Sequence, residues 1–299
     1  MAHSYTRDDL KDIFFSALEM FNDCLNSDIN KDNLRIDFFV PENGIKVYER
    51  FCSRYFPKHL DEPYKSNGYF DEIAAQAFVS ESCYGVLIRE DIDFTLGEVL
   101  QMFLHEISHL YCTQNEVSGG HFFDKYCMGS GVEDGMINAG YAIWREAIAD
   151  IMADSILSEN ATLTLPMVKD EIRHLNREIS IGNPNSKKAM SLIFAYIMIS
   201  AEVATTADWK VAEKEIRKTI KFEEPIVYGI LEMFFEQLHT SPFWTITPEF
   251  ITELGQMYLE LLSMRAFMIR IKEIQNDEQG YDTLPVSHYG YPEYYCSGT

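Results

Sequence analysis

Apolar residues in the first third of the chain follow two different spacings. Positions three and four residues apart predict one helix that Thr6 caps and a second helix at residues 45–56. Short apolar runs predict strands at residues 35–40 and 84–89. Residues 71–80 fit neither spacing alone, because Ala-Ala-Gln-Ala favours a helix and Phe-Val favours a strand. We therefore expect this part of the chain to combine helices with a small sheet.

A strongly apolar helix follows the second of these strands. Thr95 and Glu98 form a T-x-x-E capping box at its start, and Phe94 and Val99 occupy the positions of a hydrophobic staple. Apolar side chains cover most of the helix surface, so we expect it to be largely buried. These side chains are Leu96, Val99, Leu100, Phe103, Leu104, Ile107, Leu110 and Tyr111.

The rest of the chain has mainly helical spacing. A second apolar helix is expected from about residue 139 to residue 157. Before it lies a Gly- and Ser-rich link at residues 112–135, which we expect to be irregular and to form either a wall or a lid of a cleft. Further helices are predicted at residues 166–179, 186–204, 208–220, 225–238 and 248–275. The pattern divides the chain into a mixed region at 1–160, a helical region at 161–280 that packs on it, and a Tyr-rich tail at 281–299. The tail is expected either to dock on the domain surface or to lie in the cleft.

Composition narrows the choice of partners. The chain has 299 residues and a net charge of −22, so nucleic acid is not an expected partner, because phosphate binding requires Lys and Arg. Six scattered Cys indicate reduced thiols, and the N-terminus lacks the pattern of a signal peptide. The longest apolar run, residues 189–204, is short for a membrane span and contains Glu202. We therefore expect a cytoplasmic protein without a membrane partner; the sequence leaves its oligomeric state open.

The first apolar helix contains the motif His105-Glu106-Ile107-Ser108-His109, which is H-E-x-x-H. Residues four apart share a helix face, so His105 and His109 can hold one metal ion, and Glu106 lies beside it where a water would bind. A buried helix cannot hold unpartnered polar side chains cheaply, and a metal would satisfy both His. This pattern is typical of zinc hydrolases, which usually have a third protein ligand.

Several residues could supply that third ligand. Glu146 and Asp150 lie four residues apart on the second apolar helix and share one face. His121 follows Ser118-Gly119-Gly120 in the link and is the next candidate. The remaining acidic candidates are Glu116, Asp124 and Asp134.

The combination of H-E-x-x-H with a downstream E-x-x-x-D resembles the gluzincin metallopeptidases over roughly residues 84–158. The extended metzincin motif is absent, because Tyr111 to Asn115 supply neither its Gly nor its third His. The resemblance implies that Glu146 is the third Zn²⁺ ligand and that Asp150 orients His105 or His109 through the second ring nitrogen. It implies a zincin-like α+β fold, in which a small N-terminal sheet lies beside the active helix and a mostly α-helical C-terminal half follows. The strand at 84–89 is then either the lip of a peptide-binding cleft or an ordinary core strand.

The expected function is a zinc metallopeptidase that hydrolyses a peptide or protein substrate with a metal-activated water and Glu106 as the general base. The oxyanion donor stays open among Tyr141, His121, His239, His288 and the tail tyrosines, although Tyr141 should point away from the ligand face. The alternative is a binding or regulatory protein with a zincin fold that a metal only stabilises. A hydrolase of a non-peptide amide is a third option.

Overall fold

The computed structural model describes residues 5–61, 68–80, 83–117, 119–127, 132–157 and 245–257, together with the single residues Lys214, Met233 and Gln237. Apart from those three residues, the helices predicted between residues 166 and 238 lie outside the described residues. The end of the helix predicted at 248–275 and the Tyr-rich tail lie outside them as well.

Up to residue 114, the described elements agree closely with the apolar spacing. The strand predicted at 84–89 and the helix and strand predicted at 45–56 and 35–40 are confirmed to within one residue. The ambiguous residues 71–80 divide into the end of a short helix and a strand. In chain order the elements are α1 (Arg7–Leu25), β1 (Leu34–Phe39), α2 (Gly44–Tyr55), α3 (Tyr69–Glu72), β2 (Ala75–Val79), β3 (Tyr84–Arg89), α4 (Leu96–Gln114), α5 (Gly119–Tyr126) and α6 (Val132–Leu157), with short 3-10 turns at Lys31–Asn33, Pro41–Asn43 and Pro57–Asp61 and a helical segment at 248–257.

The link between the two apolar helices is more ordered than its composition indicated. Residues 119–126 form α5, and α6 begins at Val132 instead of near residue 139. Phe122 is buried, and the ring of Phe123 contacts that of Tyr141 at 5.1 Å between centroids. Apolar packing of this kind stabilises a short helix that glycines alone would disfavour.

The three described strands form one mixed sheet in the order β1-β3-β2. β3 pairs in parallel with β1 and antiparallel with β2, so both of its edges are occupied. The interpretation of β3 as the free lip of a cleft is therefore wrong, and β3 is a core strand. Its residues Gly85–Ile88 are buried, as expected for a strand with neighbours on both sides.

Two apolar clusters hold this part of the chain together. On one side, α1 packs on α4, with the Phe14 ring 5.2 Å from that of Phe103 and the Phe21 ring 5.5 Å from that of Tyr111. On the other side, α2 covers the sheet through an aromatic cluster that includes Tyr48, Phe51, Phe56, Phe70 and Phe78. The predicted capping box of Thr95 and Glu98 begins α4, and Thr6, the predicted cap of α1, forms a capping box with Asp9.

The described residues belong to two compact units. The first contains the residues up to Phe122 and those from Ile148 to Leu157, and the second contains Phe123–Ala147 and residues 245–257. The chain passes from the first unit to the second inside α5 and returns to the first inside α6. Within the described part of the chain, no helix combines the length and the apolar character needed to cross a membrane.

The second unit contains an unusually close helix crossing. A Cβ added to Gly140 of α6 would lie 1.9 Å from the carbonyl oxygen of Ile251. A Cβ added to Gly255 would lie 1.8 Å from the carbonyl oxygen of Met136. The backbones of α6 and of the segment 248–257 therefore touch at these two glycines, where no larger residue fits.

Candidate metal centre

Helix α4 places the two histidines of the motif on one half-buried face. The Nε2 atoms of His105 and His109 lie 3.1 Å apart. Two nitrogen ligands of one tetrahedral zinc ion lie about 3.3 Å apart, given zinc–nitrogen distances of about 2.05 Å. The two imidazoles therefore converge at the separation that a shared metal requires.

The C-terminal part of α6 lies antiparallel to α4 and is held against it by hydrogen bonds. The Gln101 amide donates to Asp154 Oδ1 at 3.1 Å, and the Ser108 hydroxyl lies 3.4 Å from the carbonyl oxygen of Ala149. As the residue number increases along α4, the residue number of its partner on α6 decreases, which is the order of an antiparallel pair. Ser108 is fully buried and also donates to the carbonyl oxygen of Leu104 at 2.8 Å, so its small side chain allows the helices to approach closely.

Asp150 contacts His105 between the two contacts just described. Its Oδ1 accepts a hydrogen bond from His105 Nδ1. A carboxylate can only accept, so this bond places the proton on Nδ1 and leaves the Nε2 lone pair facing His109. The sequence left open which histidine Asp150 would orient, and the structure brings it to His105.

Glu146 belongs to the same helix as Asp150 and lies one turn before it, so the continuous helix α6 sets the spacing of these two residues. One ligand atom from each of His105, His109 and Glu146 lies within 4.8 Å of the others. Arg145 Nε lies 2.9 Å from Glu146 Oε1, and the two side chains form an ion pair. Glu106 lies beside His105 on α4 and is half-buried.

The other ligands and oxyanion donors proposed from the sequence are not found in this group of three side chains. Within the described residues, the group of His105, His109 and Glu146 is the one set of three side chains close enough to share a metal. Glu116 is exposed at the end of α4, and Asp134 is buried in the first turn of α6. Tyr141 is 1% exposed and packs between Phe123 and Trp144, in agreement with its expected direction away from the ligand face. The side chains of His121, Asp124, His239 and His288 lie outside the described residues.

Two residues of this site were not found from the sequence. Arg145 holds the carboxylate of Glu146, and Asp154 accepts from Gln101 one turn after Asp150. Burial and the negative charge of Asp150 together raise the pKa of Asp154, and His105 lowers it, so that the pKa is about 6. A pattern search could have found Asp154, because Glu146, Asp150 and Asp154 repeat at intervals of four.

The raised pKa of Asp154 makes a testable difference to stability. An aspartate that binds its proton more tightly when folded destabilises the fold as the pH rises from about 4 to about 6, and the full penalty applies above that range. In metal-free protein, Asp154→Asn should raise the free energy of unfolding by about 1–2 kcal/mol at about pH 8, after allowance for solvent screening. The gain should vanish near pH 4, because the native carboxyl is then neutral as well.

Urea unfolding of both proteins across this pH range measures the effect. The same change at Asp93, which is exposed in the turn before α4, serves as the control and should leave the curve unchanged. A gain of equal size at both ends of the range would show that the amide improves packing and that ionisation has no part in it.

Comparisons of the chain with protein-family models, with curated proteins and with solved structures give no match. The functional interpretation consequently depends on the geometry of the residues themselves.

Proposed function

We propose that the chain is a zinc-dependent metallopeptidase of the gluzincin type that hydrolyses peptide bonds in a peptide or protein substrate. The observation that carries the proposal is the convergence of His105 Nε2 and His109 Nε2 at 3.1 Å, with a Glu146 carboxylate oxygen within reach. Two imidazoles and one carboxylate are a donor set that suits zinc and leaves a fourth position open. When bound, zinc would acidify a water molecule and polarise the scissile carbonyl.

The residues around these ligands have distinct tasks in this proposal. Glu106 takes a proton from the attacking water and delivers it to the leaving amine. Asp150 holds His105 in the tautomer that presents Nε2. Arg145 forms an ion pair with Glu146 and so holds one of its carboxylate oxygens in place.

We also propose a cytoplasmic location. The described cysteines, at positions 24, 52, 83, 112 and 127, are thiols that form no disulfide with one another. Reduced thiols are typical of the cytosol.

Metal content tests the ligand set. The purified protein should contain about one zinc ion per chain, and His105→Ala should reduce this to near zero. Glu146→Gln should weaken zinc binding by about a hundredfold or more, because an amide is a poorer ligand than a carboxylate. Elemental analysis and competition with a chromogenic chelator measure both effects.

Glu133→Gln makes the same chemical change at an exposed position in the first turn of α6 and should leave zinc binding unaltered. Zinc that binds equally well to the His105→Ala protein would remove the proposed centre.

A further inference from the structure

A basic groove runs along the outer edge of β1. It has a volume of about 640 Å³ and is lined by the strand itself, by α1, by α2 and by the turn before β1. Five of the chain's 25 cationic side chains line it, against two carboxylates. In a chain with a net charge of −22, this is a local reversal of sign. The cations are Lys11, Lys31, Arg35, Arg50 and Arg54.

Two of these cations lie close to the same aromatic ring. The guanidinium of Arg35 lies 5.9 Å from the centre of the Tyr55 ring, and that of Arg54 lies 5.0 Å from it. Within the described residues, neither guanidinium forms an ion pair with a carboxylate, whereas Arg50 pairs with Asp37 at 2.6 Å. Two like charges held on one ring without a counter-ion attract an anionic group.

Among the described residues, no strand pairs with the outer edge of β1, which lies beside these cations. The carbonyl oxygen of Phe39 accepts from the amide of Glu90, so Phe39 faces β3. By the alternation of strand residues, Leu34, Ile36 and Phe38 direct their backbone groups outward, into the groove. Asp37 Oδ1 accepts from the Phe38 amide and the Arg35 guanidinium donates to the Leu34 carbonyl, whereas the described residues provide no partner for the backbone of Ile36.

The two sides of the groove differ in chemistry. Arg7 of α1 stacks on Phe38, and Arg50 of α2 pairs with Asp37, so α1 and α2 lie on opposite faces of the sheet. A strand added beside β1 would direct every second side chain towards the two arginines on the α2 face. The intervening side chains would face Phe15 and Lys11 of α1. A strand residue occupies about 3.4 by 4.8 by 10 Å, so the groove holds about four residues.

We propose that the groove binds an extended acidic peptide segment of a partner protein, which adds to the edge of β1 and places alternate carboxylates on Arg35 and Arg54. The Ile36 amide donates to the peptide backbone, and the Ile36 carbonyl accepts from it. β1 and β2 are opposite edges of the sheet, and β2 is the strand that packs on α4. The groove is thus separate from the metal centre, and the proposal holds with or without hydrolytic activity.

Fluorescence anisotropy with a labelled peptide of alternating Glu and Val tests this proposal. The full-length protein should bind this peptide and should bind its Gln-for-Glu counterpart about tenfold or more weakly. Arg35→Glu with Arg54→Glu should weaken binding of the acidic peptide by about tenfold or more, and added salt should weaken it in the unmodified protein. Lys46→Glu is the control for a charge reversal outside the groove, because Lys46 is exposed on α2 and does not line the groove.

N-methylated peptides test the strand addition without altering the protein. Methyl groups on the amides of one edge of the peptide should abolish binding, and methyl groups on the other edge should leave it intact. Equal binding of both peptides would overturn the addition to β1, and failure of the acidic peptide to bind would overturn the proposal as a whole. If a single-stranded oligonucleotide bound more tightly than the peptide and its binding depended on the same arginines, the groove would be assigned to phosphates instead. If the protein bound no peptide but self-associated, and the double variant did not self-associate, the groove would be assigned to a second copy of the chain.

Discussion

Replacing Glu106 by Gln is expected to reduce peptide hydrolysis by about 10²- to 10⁴-fold while the protein keeps its zinc. The amide has nearly the shape of the carboxylate but cannot take a proton from water. His105, His109 and Glu146 are unchanged in this variant, and the hydrogen bond from His105 to Asp150 is kept. Turnover of a quenched fluorescent peptide library, measured alongside the zinc content of the same samples, gives both quantities.

The outcome separates the proposed enzyme from its alternatives. Glu133→Gln removes one carboxylate from the exposed start of α6 and should retain the activity of the unmodified protein. Full hydrolysis by Glu106→Gln would eliminate Glu106 as the base. An unmodified protein that binds zinc and hydrolyses no peptide would instead favour the metal-stabilised binding protein or the hydrolase of another amide.

The glycine crossing in the second unit should be the most sensitive point of the described packing. Gly140→Ala places a methyl group where the Ile251 carbonyl oxygen lies, at 1.9 Å. The obstacle is backbone and cannot rotate away, so the helices must separate and lose contacts along their length. We expect Gly140→Ala or Gly255→Ala to lower the free energy of unfolding by about 3 kcal/mol or more.

Gly97→Ala is the matched control for this prediction. Gly97 lies in the first turn of α4, is exposed, and has no atom within 4 Å of an added Cβ. Alanine there should stabilise the protein by about 0.5 kcal/mol, because it restricts the unfolded chain and favours the helix. Denaturant unfolding of the three variants compares the values, and a Gly140→Ala protein as stable as its parent would show that the helices do not touch at this position.

Local sequence patterns predicted α1, α2, α4, β1 and β3, since the causes of these elements are local, but they missed α5 and placed the start of α6 near residue 139 instead of at Val132. Thr95 and Glu98 mark the start of α4 because the capping box involves residues three apart. The strands at β1 and β3 were recognised for the same reason. The position of β3 at the centre of the sheet could not be predicted, because strand order depends on pairings between residues far apart in the sequence.

In the candidate site, too, the features set within one helix could be predicted from the sequence, and those set by packing between helices could not. The spacing within His105–His109 and within Glu146–Asp150 follows from one helix each, and both were read from the sequence. The choice of His105 as the partner of Asp150 depends on how α4 and α6 pack, which no motif contains. Arg145 was missed because neighbouring residues on a helix seldom face each other, yet its long side chain reaches Glu146.

The outer edge of β1 also bears on the tendency of the protein to aggregate. An exposed strand edge invites other copies to extend the sheet, which is a common route to aggregation. At this edge, the Asp37 side chain accepts from the outward amide of Phe38, and the Arg35 side chain donates to the outward carbonyl of Leu34. The flanking positive charges repel a second copy of the same edge. These features disfavour the pairing of β1 with the same strand of another copy, which would extend the sheet into a fibril. They still allow the proposed acidic peptide to bind at this edge.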